Sequence, residues 1–240
     1  GAGLVAVALD FSTGLVGYWR LTEASGSRAD SSGNGNTLTD VNTVLSTTGK
    51  VGALAALFVI FANERLARAD QASFEAAAQS WGLAGWFKLT SLPDPGTFMG
   101  LAGKWALGPD TGLNVYVHNT ASKPRVKAST DGLDTIEAVW GSSLTTGTWY
   151  FLAAGYDSVS RKVWISIDNG TRVESAAGGI GWTLPDTAEE FRLGTSDTTD
   201  EPLDGAMEQW IYSVGKTYTV AEVAHMWNGG AGRHLFCKGL

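Results

Sequence analysis

Residues 143–170 read SLTTGTWYFLAAGYDSVSRKVWISIDNG, and the alternation inside this stretch decides the fold class. Within 149–156, Tyr150, Leu152, Ala154 and Tyr156 fall on one side of an extended chain. Within 162–168, Val163, Ile165 and Ile167 form a second apolar set, with Trp164 and Asp168 opposite. Successive side chains of a strand point to opposite faces, so a period of two marks a strand with one face buried. Thr146-Gly147 precedes the first run and Asp168-Asn169-Gly170 follows the second, both good turn chemistry. Alternating runs joined by short turns predict antiparallel sheets with one face inward.

The same period recurs outward from this point. In 81–89 (WGLAGWFKL), Trp81, Leu83, Phe87 and Leu89 share one face, while Trp86 and Lys88 share the other. In 113–118 (LNVYVH), Leu113, Val115 and Val117 oppose Asn114, Tyr116 and His118. Turns are expected at Asp94-Pro95-Gly96 and Asp131-Gly132. The apolar run from Val51 to Ala62 is too short to span a bilayer and reads as a buried strand. One helix is expected near the end. Thr219 and Glu222 form a Thr-x-x-Glu capping box, Val220, Val223, Ala224 and Trp227 line one face, and Gly229-Gly230 stops it. Residues 64–79 are also expected to be partly helical.

The 240 residues, with 31 glycines, 10 tryptophans and 17% charged residues, suit many short strands and a large core. The fold class expected is therefore all-β: a two-sheet antiparallel jelly-roll sandwich with a short C-terminal helix. No linker or repeat interrupts residues 14–230, which read as one domain between an N-terminal arm (1–13) and a C-terminal tail (231–240). A net charge of −7 repels a phosphate backbone and argues against a nucleic-acid partner. Nothing in the chain predicts membrane insertion. The single cysteine, Cys237, excludes an internal disulfide.

In order, the segments GLVGYWRLTEASGS (14–27), DSSGNGN (30–36), GKVG (49–52), WGLAGWFKL (81–89), SLTTGTWYFLAAGYD (143–157), KVWISIDNG (162–170), FRLGTS (191–196), LDGAMEQWIYS (203–213) and TVAEVAHMWNGG (219–230) resemble a known family. They are similar to the laminin-G-like domains of the concanavalin A-like lectin/glucanase superfamily over roughly residues 14–230. The resemblance implies a jelly roll with a curved, solvent-facing sheet and a role in binding glycans, proteins or calcium. Some relatives hydrolyse polysaccharides, and fold alone does not choose among these roles. Two departures stand out. Residues 57–61 read LFVIF where the family often has a Phe-Asp-Gly turn, which suggests deeper burial or a subunit contact. The late strand carries Glu208-Gln209 in place of an Asp-Glu pair, which weakens a metal site there.

No strand carries the closely spaced carboxylate pair a retaining glycosidase needs. The acidic residues Asp197, Asp200, Glu201 and Asp204 read as a loop, a solvated acidic turn with a cation site as the alternative. His118, His225 and His234 show neither triad nor metal spacing, so no enzyme is expected. Calcium is the one cofactor the chain suggests. Asp30, Asn34 and Asn36 offer side-chain oxygens and Glu208 reaches from the late strand, although DSSGNGN also makes a metal-free turn. For glycans, the candidates are Trp86, Tyr116, His118 and Trp164, all opposite the core sets. Their alternative is burial beneath a loop or a subunit. Asn169-Gly170-Thr171 matches a glycosylation sequon but reads better as a hairpin turn.

Two functions follow. The first is a non-catalytic recognition module for glycans or cell surfaces, displayed extracellularly or on a virion. The second is a structural subunit that self-assembles or docks on a capsid or tail, its apolar arm adding as a strand to a neighbour. A polysaccharide-degrading enzyme ranks below both.

Overall fold

The computed structural model describes residues 9–106, 111–179, 181–196 and 202–235. In chain order its strands are β1 (Leu15–Trp19), β2 (Thr39–Val41), β3 (Leu45–Thr48), β4 (Leu54–Phe58), β5 (Arg65–Arg68), β6 (Trp81–Leu89), β7 (Phe98–Ala106) and β8 (Thr111–His118). They continue with β9 (Lys123–Ser129), β10 (Thr135–Val139), β11 (Trp149–Asp157), β12 (Lys162–Ile167), β13 (Val173–Glu174), β14 (Phe191–Leu193) and β15 (Gly205–Val214), before helix α1 (Val220–Trp227). One sheet runs β13-β12-β11-β6-β15-β4-β3, with β1 also paired to β15; the other runs β10-β9-β8-β7-β14-β5-β2. The crossovers and antiparallel pairings make a jelly-roll sandwich.

The inward sets expected for β6, β8 and β12 are those that form the core, and β11 adds Leu152, Ala154 and Tyr156. Trp210 crosses the place where a side chain at Gly85 would stand, with its ring 2.4 Å from an ideal Cβ there. Its indole N–H donates to the Trp86 carbonyl at 3.0 Å, so the ring cannot move aside without losing that bond. Gly85→Ala therefore overpacks the core, with an expected cost of ~1–3 kcal/mol, measured as a lower urea midpoint at unchanged slope.

A second apolar layer lies on the far face of the eight-stranded sheet. Tyr18, Trp86, Phe151, Trp164 and Ile211 pack there under Tyr218 and the α1 residues Val223 and Met226. The capping box forms: the Glu222 N–H donates to Thr219 Oγ1 at 3.2 Å, and the Thr219 N–H donates to Glu222 Oε2 at 2.8 Å. The buried face differs from expectation. It is Glu222, Val223 and Met226, while Val220 is 66% exposed. The cause is Glu222, whose Oε1 takes the Lys216 ammonium at 2.6 Å and the Asp10 N–H at 3.1 Å, turning that side of the helix inward.

Residues 64–79 are not helical. They form β5 and a 3-10 turn at Ala72–Phe74, because Leu66 pairs with Leu193 and Phe74 stacks on Trp19 and Tyr212. Tertiary pairing overrides helix propensity there. The apolar run 51–62 is strand only over Leu54–Phe58; Val59 is exposed and the chain turns at Asn63, whose φ is +51°.

Candidate functional site

Where the second apolar layer covers one sheet, the outer face of the other sheet is differently furnished. The register puts Phe98 beside His118, Tyr116 beside Arg125, and Asn114 beside Lys127 on that face. Glu137 of β10 pairs with Lys127 and shares it. Tyr116 donates its hydroxyl to Glu137 Oε1, and Arg125 Nη1 donates to Glu137 Oε2 at 3.1 Å. Tyr116 is only 7% exposed, whereas the side chains of Arg125 and Glu137 are 18% and 28% exposed. The tyrosine thus holds the carboxylate from behind, and the ion pair meets solvent. Burial, then the Glu137 bond, push the Tyr116 phenol above its ordinary range, so it stays a donor.

Aromatic rings frame this pair. Phe98 is half-buried, with its ring 5.2 Å from Tyr116, and His118, its cross-strand partner, lies 6.3 Å from Tyr116. His118 Nδ1 accepts the Thr120 N–H at 3.0 Å, which leaves Nε2 to carry the proton of the neutral ring. Burial, then the Arg125 charge, lower its pKa and favour that neutral form. A base with a lowered folded pKa contributes fully above its unfolded value of about 6.5 and loses that contribution as pH falls towards the folded one. The stability difference between wild type and His118→Gln should therefore shrink in urea titrations as pH drops below ~6.5.

Farther along, Lys127 sits 4.8 Å above the Trp105 ring. Gly100 and Gly103 lack the Cβ that would strike Thr195 and Ser196, so that segment crosses β7 closely. Asn114 is 3% exposed, and its Oδ1 has no hydrogen-bond partner among the described residues.

Of the sequence-predicted glycan residues, Tyr116 and His118 stand on this face. Trp86 and Trp164 do not; each is 2% exposed in the layer under α1. Trp164 donates its indole N–H to Thr217 at 2.7 Å and carries Arg172 at 3.7 Å over its ring, while Lys50 lies 5.4 Å from Trp86. They serve as packing, the alternative the alternation pattern had left open. Phe98, Arg125 and Glu137 went unremarked in the sequence. KPRVKAS (123–129) alternates, but Pro124 obscures it, and TIEAV (135–139) is short.

The expected calcium set divides in two. Asp30 Oδ1 accepts the Tyr18 and Ser32 N–H groups at 3.1 and 2.8 Å, and Oδ2 accepts the Asn36 N–H at 2.9 Å. Asn34 and Asn36 donate their amides to the Leu15 and Val16 carbonyls, both at 2.7 Å. Glu208 is fully buried around a different loop, residues 50–52. The Asp30 and Glu208 carboxylates thus serve backbone N–H groups of two separate loops.

Another acidic group could hold a metal ion: Asp70, Glu75 and Asp186, whose carboxylate oxygens lie within 4.8 Å of one another. The buried Lys104 ammonium stands 3.0 Å from Asp70 and 2.5 Å from Glu75. Its hydrogen bond lowers Asp70, while burial pushes Glu75 up to about 7. One ammonium cannot fully compensate several carboxylates. The adjoining cavity is only about 10 Å³, too small for a sugar. Asp197, Asp200, Glu201 and Cys237 lie outside the described residues.

The model of the concanavalin A-like lectin/glucanases superfamily matches residues 63–224. No curated protein sequence matches the chain. Among solved structures, the binding domain of Paraclostridial Mosquitocidal Protein 1 is similar at TM-score 0.71 and 12% identity, over 92% of this chain and 53% of that one. Trypanosoma rangeli sialidase is similar at TM-score 0.63 and 15% identity, over 91% of this chain and 33% of that one. Domain 4 of AbnA, a GH43 extracellular arabinanase from Geobacillus stearothermophilus, solved with arabinotriose, is similar at TM-score 0.56 and 18% identity, over 91% of this chain and 98% of that one. The chain thus spans about half the length of the mosquitocidal binding domain and a third of the sialidase. At these identities the likeness is one of fold.

Proposed function

The chain belongs to the concanavalin A-like lectin/glucanases superfamily, and from that premise we propose that it is a non-catalytic recognition module that binds glycan on the outer face of the seven-stranded sheet. One observation carries the reading: the Phe98 ring stands beside Tyr116, whose hydroxyl holds Glu137 of a solvent-reached Arg125–Glu137 pair. A sugar ring needs an apolar platform for its C–H face and fixed planar donors and acceptors for its hydroxyls. Phe98 supplies the first, Arg125 and Glu137 supply the second, and the neutral His118 adds a donor. The arabinanase domain solved with arabinotriose supports a glycan ligand and an extracellular setting for the module.

The non-catalytic part rests on the carboxylates. Lys104 stands within the Asp70–Glu75–Asp186 group, and the cavity that adjoins it among the described residues is only about 10 Å³. Incubation with arabinan, laminarin and sialyllactose should release no sugar; release by the purified chain would contradict this part. A glycan array that includes arabino-oligosaccharides, with and without calcium, tests the binding itself. Binding should occur without added calcium and weaken about tenfold in Phe98→Ala, or ~1.4 kcal/mol. An array with no hits would overturn the reading.

A further inference from the structure

A second cleft, of about 460 Å³, opens at the sandwich edge, where the start of β1 in one sheet meets the end of β5 in the other. Asn34, Asn36, Arg68, Gln71 and Ser73 line it. These groups are already fixed. The amides of Asn34 and Asn36 are tied to backbone carbonyls of β1. Gln71 accepts from Arg68 Nη2 at 3.0 Å and donates to Asn36 Oδ1 and, at 2.8 Å, to Ser73 Oγ. A rigid chain of planar amides therefore runs along the wall, ending on a guanidinium.

That guanidinium carries the charge that would select a ligand. Among the described residues, Arg28, Arg65, Arg125 and Arg192 each sit within ion-pair distance of a carboxylate, whereas Arg20, Arg161, Arg172 and Arg233, like Arg68, do not. Arg68 has no such partner among the described residues, and its Nε is buried without a hydrogen-bond acceptor. The Asp30 carboxylate accepts three backbone N–H groups and forms no ion pair with Arg68. A cation held in a cleft without its own counter-ion is complementary to an anionic ligand, and a guanidinium matches a carboxylate best. The neutral amides and the Ser73 hydroxyl match hydroxyl groups. The volume lies within the ~300–1,000 Å³ of small-molecule sites.

We infer that this edge cleft is a separate binding site for an acidic monosaccharide unit, whose carboxylate is taken by Arg68 and whose hydroxyls are taken by Gln71, Ser73 and Asn34. It stands apart from the outer-face site, so either can fail alone.

The test is a nitrogen-15 NMR titration of the full chain with D-glucuronate, D-glucose and inorganic phosphate in parallel. Glucuronate should saturate with a Kd of about a millimolar or tighter and move the amide resonances of Asn34, Asn36, Gln71 and Ser73. Glucose and phosphate should each bind at least about tenfold more weakly. Arg68→Met should lose the response. Gln71→Glu, which sets a carboxylate against Arg68 while keeping size, should lose it too; both variants should keep array binding on the outer face. No response to glucuronate, or shifts confined elsewhere, would overturn the site. Equal binding of glucose would remove the anion recognition, equal binding of phosphate would remove the sugar, and unchanged glucuronate affinity in Gln71→Glu would remove Arg68; each contradicts the inference.

Discussion

Replacing Glu208 with alanine should destabilise the domain by ~3–5 kcal/mol, the cost of leaving buried backbone donors without their acceptor. Glu208 is fully buried in β15, and its carboxylate accepts N–H groups from Lys50 at 2.6 Å, Val51 at 3.0 Å and Gly52. Successive backbone N–H groups turned on one anion form a nest. The flanking glycines are required: a Cβ at Gly49 or at Gly52 would lie 3.0 Å from a Glu208 oxygen and closer still to other atoms. Alanine leaves three inward amide hydrogens without an acceptor, each costing ~1–3 kcal/mol if it stays buried. Relaxation of the loop to water recovers part of that. For a chain of this size, ~4 kcal/mol corresponds to a fall of roughly 8–16 °C in Tm. Glu208→Gln should fall between, because its NH2 group faces donors while one oxygen still accepts. Calorimetry of the three proteins checks this, and a Glu208→Ala variant that melts with the wild type would refute the nest.

Arg125→Ala should weaken glycan binding by about 30- to 100-fold, or ~2–2.8 kcal/mol. In the proposed site Arg125 would donate to the ligand, and it is the outer partner of Glu137. Removing it deletes one planar group and leaves the other held only by Tyr116. Stability should change little, because the pair is partly exposed and such pairs contribute ~0–1 kcal/mol. Tyr116→Phe separates positioning from contact. It should leave the Phe98 platform in place while leaving Glu137 held only by Arg125, giving a smaller loss than Arg125→Ala. Titration calorimetry with an array-positive glycan measures both variants.

Period-two alternation was enough to place the long central strands and their inward sets, because each has one face in the core. It also separated Trp86 and Trp164 from that core, correctly, but could not say what lay beyond them. Their cover is α1, and nothing local to WGLAGWFKL or KVWISIDNG encodes a helix arriving from residues 220–227. The same limit hid the outer-face site. Tyr116 was visible from its own strand, but its partner Glu137 is 21 residues away and is brought near only by the β8-β9-β10 register. DSSGNGN illustrates a different limit. A short segment of Asp, Ser, Asn and Gly suits both a cation and a tight turn, and the observed bonds of Asp30 are those of the turn. GKVG looked like a family mark; its reason, the Glu208 carboxylate, lies more than 150 residues downstream.

The central claim is that glycan is held on the outer face of the seven-stranded sheet, at Phe98, His118, Arg125 and Glu137. Nitrogen-15 chemical-shift mapping with the tightest glycan from the array tests it most directly. Perturbations should concentrate on the outward residues of β7 to β10 and be abolished together in a Phe98→Ala, Arg125→Ala double variant that still melts cooperatively. Perturbations gathered around α1 and Trp164, or undiminished in the double variant, would contradict it.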